Sequence, residues 1–133
     1  MGTNELRINN YVLFSEDSTV FIVNEVNESG LSVANEDEVT WIEIQEFEPI
    51  PLTEEWMVKF GMELYDGFSS TRVLRLNRNP LDTSILTYNV VEGLLRFSNG
   101  HNKGSDLIPY VKYVHQFQNL YFAITGKDLL IKN

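Results

Sequence analysis

His101 and His115 are the only imidazoles in the chain, and so its first candidates for proton transfer or metal binding. Neither has a second histidine or a carboxylate three or four residues on, the spacing that puts two ligands on one helix face. His115 is followed instead by Phe117, Gln118 and Asn119. It is expected as a helix-face histidine hydrogen-bonded to a neighbouring segment, and no metal or cofactor is expected. Glu36, Asp37 and Glu38 are consecutive acids, but they lack the spaced oxygens and central glycine of a calcium loop. They read as a solvated connection between strands. Glu43 with Glu46, or Glu46 with Glu48, would form an acid/base pair only in a cleft that separates their pKa values.

Cysteine is absent, which excludes disulfides, thiolate metal sites and thiol nucleophiles. No nucleophile elbow, phosphate loop or dinucleotide fingerprint occurs. The expectation is a protein that is not an enzyme. Arg72, Arg75, Arg78 and Arg96 form the only basic cluster, close in sequence to Phe68, Tyr88 and Phe97. Two readings follow: contact with RNA through cations and stacking rings, or internal ion pairs with the acids of the first half.

Those acids are numerous. Residues 1–66 hold fifteen acids against two bases, whereas residues 67–133 hold four acids against eight bases. The formal net charge of −9 disfavours direct binding to DNA or RNA, because phosphate contacts need cations to displace condensed counterions. A field of carboxylates suits a basic groove on another protein, where charge complementarity speeds encounter and selects the partner. Glu36, Asp37, Glu38, Glu43, Glu46 and Glu48 are the candidate contacts, expected along one exposed ridge. The competing reading is that these acids keep a small protein soluble and guard strand edges.

The elements that must position these residues are legible in outline. At 133 residues, with 43% hydrophobic and 22% charged, the chain reads as one folded domain over 1–133, neither disordered nor membrane-spanning. No basic-then-apolar leader opens it, so the expected location is the cytoplasm. Short β-type runs at Tyr11–Phe14, Thr19–Val26, Leu31–Val33 and Val39–Phe47 predict a small antiparallel barrel or strongly bent sheet, with a slip near Glu46. Pro49 and Pro51 end it. Thr53 caps a two-turn helix that Gly61 closes, with Glu54 and Glu55 in its first turn. Strands resume at Arg72–Asn77, Ile85–Val91 and Leu94–Ser98. Asn99–Asp106 is polar and glycine-bearing, the best candidate for a mobile loop. Tyr113, Val114, Phe117, Leu120, Tyr121 and Ile124 recur at helical spacing, and Gly126 can cap that helix. Leu129–Ile131 reads as a short final strand. The predicted fold is α+β: an antiparallel, partly barrel-like sheet with a short central helix and a longer C-terminal helix packed on the core. Trp56, Phe60, Phe117, Leu120, Tyr121 and Ile124 are its expected interior.

Three stretches resemble signatures of a family of small proteins carried by phages, prophages and integrated elements. They are the runs from Glu5 to Val12, from Pro49 to Trp56 with Lys59-Phe60-Gly61, and from Tyr113 to Gly126. They cover the two ends and the centre, and no active-site residue comes with them. The resemblance implies an anti-CRISPR-type inhibitor, of the kind directed against a type VI, RNA-targeting effector nuclease. The partner it implies is a host protein with a basic nucleic-acid-binding surface. The alternatives are a self-assembling phage accessory protein and a small RNA-binding module using the arginines.

Overall fold

The computed structural model describes residues 2–65, 68–99 and 105–132. His101 and most of the polar stretch expected as a mobile loop lie outside them. The fold is α+β, as its sequence pattern predicts, with the strands divided between two antiparallel five-stranded sheets. The first sheet contains β1 (Tyr11–Phe14), β2 (Val20–Val26), β3 (Gly30–Ala34), β4 (Val39–Glu43) and β5 (Phe47–Glu48), in the order β4-β3-β2-β1-β5. β4 and β5 are opposite edges of this sheet, yet only the 3-10 turn Ile44–Glu46 separates them in sequence. Three residues of extended chain reach about 10 Å, so the sheet has to curl until its edges approach. A bulge at Asn24, between the Val23–Val33 and Glu25–Ser32 pairs, adds to the bend. The slip expected near Glu46 is this 3-10 turn, and the predicted run Val39–Phe47 is two strands on different edges.

The second sheet contains β6 (Glu63–Tyr65), β7 (Phe68–Arg75), β8 (Ile85–Asn89), β9 (Leu94–Ser98) and β10 (Asp106–Leu107), paired in that order. Gly93, at φ 69°, closes the β8–β9 connection and donates to the Asn89 carbonyl (2.8 Å), a left-handed position that suits glycine. Helix α1 (Glu54–Lys59) starts at Thr53, whose hydroxyl accepts from Trp56 N. Helix α2 (Val114–Thr125) ends at Gly126, which sits at φ 73° and donates to the Phe122 carbonyl.

Two cores result. Inside the curl lie Leu6, Val12, Phe21, Val23, Leu31, Val33, Ile42 and Phe47. The larger core joins both halves of the chain: Tyr11 and partly buried Leu13, Val20 and Ile22 from the outer face of the curl, Leu86, Tyr88 and Leu95 from the second sheet, and Trp56, Phe60, Val114 and Phe117 from the helices. Both faces of β1 and β2 are therefore covered. Leu120, Tyr121 and Ile124, expected inside, are half-buried at the rim of this core. Leu129–Ile131 is not a strand. It is an extended tail with Leu129 buried, tied by Ile131 N to the Tyr11 hydroxyl (3.1 Å) and by Lys132 N to the Lys59 carbonyl (2.7 Å).

The runs from Glu5 to Val12, from Pro49 to Trp56 and from Tyr113 to Gly126 meet at a seam along α2. Gln118, 3% exposed, accepts from Tyr11 N and donates to the carbonyls of Asn9 and Leu129, each at 2.9 Å. Asn119 accepts from Asn10 Nδ2 and donates to the Glu5 carbonyl. Val114 N donates to the Ile50 carbonyl, and Leu52 N to that of Lys112. These contacts satisfy backbone groups that would otherwise be orphaned where a helix end crosses a strand end.

Candidate protein-binding surface

The first sheet carries the acidic charge. Between Tyr11 and Glu48 there are ten acids and no lysine, arginine or histidine. The two bases of the first half are engaged elsewhere. Arg7 lies 3.5 Å from the Phe122 ring centroid and 3.8 Å from Asp128, and Lys59 pairs with Glu55 and covers the Trp56 ring.

Glu36, Asp37 and Glu38 form the turn between β3 and β4, where the Asn35 side chain accepts from the backbone N of Asp37 (2.9 Å) and Glu38 (3.0 Å). All three are exposed. Glu43 ends β4, and its backbone N donates to Glu46 Oε1 (2.9 Å), which fixes the 3-10 turn. Glu48 lies on β5 opposite Leu13. Five of the six candidate acids thus fall in two groups at the ends of β4, and Glu48 stands apart on β5, so the six do not form one continuous row. Glu43 lies five positions beyond Glu38, about 17 Å along a strand. None of the six pairs with a cation among the described residues. Glu43 is exposed and Glu46 is tied to backbone at the surface, so neither of the two acid pairs sits in a cleft. No group of three potential metal ligands occurs among the described residues.

Between the two acidic groups runs an apolar strip. The β3–β4 register pairs Ala34 with Val39, Ser32 with Trp41 and Gly30 with Glu43, which places Val39, Trp41 and Glu43 on the outer face. Val39 is 71% exposed and Trp41 41%. The Trp41 indole lies over Gly30, where an added Cβ would fall 2.8 Å from the ring, and its Nε1 donates to Glu43 Oε1 (3.2 Å). Glu25 flanks the strip through Ser32, since Glu25, Ser32 and Trp41 are successive cross-strand partners. The Asn35–Glu38 and Ser29–Ile44 backbone bonds set the alternation of the ladder. Thr40 and Ile42 therefore bond to β3, while the N–H and C=O of Val39 and Trp41 point away from the sheet. The alternation of Val39, Trp41 and Glu43 is visible in the sequence. That β4 is an edge, and that Glu25 joins it, is not.

The arginine cluster divides. Arg72 Nε meets Glu54 Oε2 at 3.2 Å, a pair with the first half, and Arg78 Nε meets Asp82 Oδ2 at 2.8 Å. Arg78 and Ser84 hold the Asp82 carboxyl well below the usual carboxylate range. Arg75 and Arg96 make no ion pair with a described residue. They are exposed on one face of the second sheet, paired across strands with Ile85 and Thr87. A shallow groove of about 480 Å³ crosses that face, with Thr71, Thr87, Asn89 and Arg96 in its wall and Glu92 at its margin.

His115 departs from expectation. It is 1% exposed, neither ring nitrogen has a hydrogen-bond partner among the described residues, and Glu5 lies 3.8 Å from Nε2. Burial pushes the imidazole down from the ordinary histidine range, against the pull of Glu5. The helical period put His115 on the polar side, but the segment Thr3–Glu5 folds across the start of α2 and covers it. No helix among the described residues is long and apolar enough to cross a membrane. Comparison with protein families, with curated proteins and with solved structures finds no match to this chain.

Proposed function

We propose that this protein is a non-enzymatic inhibitor from a phage or other mobile element, which occupies the basic nucleic-acid-binding surface of a host defence protein. The target class is an RNA-guided, RNA-cleaving nuclease of type VI. The observation that carries the reading is the ten acids, unaccompanied by any base, on the strands and turns of one small sheet. A surface of this kind attracts a cationic groove from a distance and repels nucleic acid itself. The resemblance of its end and central stretches to mobile-element proteins supplies the biological setting.

The test is RNA cleavage by a type VI effector with the natural protein and with a variant carrying E36Q, D37N, E38Q, E43Q, E46Q and E48Q. The five exposed substitutions should leave folding nearly intact, at about 0.5 kcal/mol or less each, and E46Q keeps the side-chain oxygen that accepts from Glu43 N. Inhibition should weaken in the variant, and inhibition by the natural protein should fade as salt rises. Equal potency of both proteins at low and high salt removes the electrostatic mechanism. A second reading, RNA binding through the second sheet, is favoured by Arg75 and Arg96, which share one exposed face without ion pairs among the described residues. Two cations beside Glu92 give it less phosphate affinity than a dedicated RNA module needs.

A further inference from the structure

β4 is the longest open strand edge among the described residues, with five residues against three for β6 and two each for β5 and β10. An open edge invites a further strand, and proteins avoiding this place lysine, proline or a bulge there. β4 has none of these: its sequence is Val-Thr-Trp-Ile-Glu, and its register with β3 is unbroken. Instead it offers the outward backbone groups of Val39 and Trp41 beside two exposed apolar side chains.

We propose that β4 is a strand-addition site for an extended segment of a partner protein with apolar residues at its centre and basic residues at both ends. The proposal rests on the acidic-surface reading and assigns it an element and a binding mode. In strand addition, main-chain hydrogen bonds hold the segment while alternate side chains select it. The incoming backbone would bond to Val39 and Trp41, its apolar side chains would lie against their outer face, and its basic side chains would reach the acids at either end. Glu36, Asp37 and Glu38 wait at one end, Glu43 and Glu46 at the other, with Glu25 alongside. A second copy of the chain is a poor occupant. Two antiparallel β4 strands centred on Trp41 bring the Glu36–Glu38 turn of each against the Glu43–Glu46 end of the other, between molecules of net charge −9.

The experiment is calorimetric titration of the full chain at low salt with a short peptide of valines flanked by lysines at both ends. The same peptide N-methylated at alternate amides keeps its charge but cannot pair as a strand. Binding of the first peptide, weakened tenfold or more by N-methylation and by Val39→Lys, supports the proposal. Val39 is exposed enough for that change to leave the melting temperature in place, which a thermal scan checks. Equal binding of both peptides overturns strand addition and leaves the acidic surface standing. Binding of neither overturns both. A concentration-dependent dimer in sedimentation that Val39→Lys abolishes gives the edge to a second copy and overturns the basic partner.

Discussion

Gln118 is committed almost entirely to backbone: its amide oxygen takes Tyr11 N, and its nitrogen gives to Asn9 and Leu129 carbonyls. A leucine there would match its bulk while stranding those groups in a closed seam. At about 1–3 kcal/mol for each buried polar group left unpaired, Gln118→Leu should cost more than an average core substitution, and a urea unfolding curve measures it. A loss under about 1 kcal/mol would mean that water reaches the seam. His115 makes the opposite case, a polar ring buried without hydrogen bonds among the described residues. Its pKa lies below the unfolded value, so the unfolded chain takes up the proton first as pH falls. Stability from this residue is complete above the ordinary histidine range and is lost as pH drops through that range toward the depressed folded value. The urea midpoint of the natural protein should therefore fall further between about pH 7.5 and about pH 5.5 than that of His115→Leu, the window bracketing an unfolded histidine near 6.5. Equal declines would assign the acid sensitivity to other groups.

Among the elements, α2 couples the two sheets. Phe117 is fully buried and packs at a tilt with its ring centroid 6.0 Å from that of Phe60, which in turn meets Trp56 and Tyr11. Phe117→Ala should cost about 3–5 kcal/mol, and Leu120→Ala, on the half-buried rim, distinctly less. Comparable losses in the two variants would show that the rim closes over in solution. The β4 edge has the reverse character, with little buried on its outer face and much left open. Ile42 anchors the strand in the inner core, and what the outer edge offers is backbone hydrogen bonding.

Across the whole molecule, the first sheet holds ten acids and no base between Tyr11 and Glu48, whereas the second mixes Glu63, Glu92 and Asp106 with Arg75 and Arg96, which pair with no acid among the described residues. Such a molecule should bind no single-stranded RNA at physiological salt, which a fluorescence-polarisation titration with a labelled oligonucleotide reads directly. Tight binding there, lost in Arg75→Ala with Arg96→Ala, would move the function to the second sheet.

Local chemistry made much of this molecule legible before its fold was described. Thr53 and Gly126 mark helix ends because a cap depends on its own few residues, and the period of Phe117, Leu120 and Ile124 declares a helix because neighbours along a helix are neighbours in sequence. The excess of acid before residue 66 is likewise a property of the chain alone. Only the tertiary structure decided which strand is an edge, that five of the candidate acids stand in two groups about β4, that His115 is covered by the N-terminal segment, and that Gln118 meets Tyr11. Each joins residues far apart in the chain, where sheet order and the packing of a curled sheet set the distance, and no sequence period extends that far.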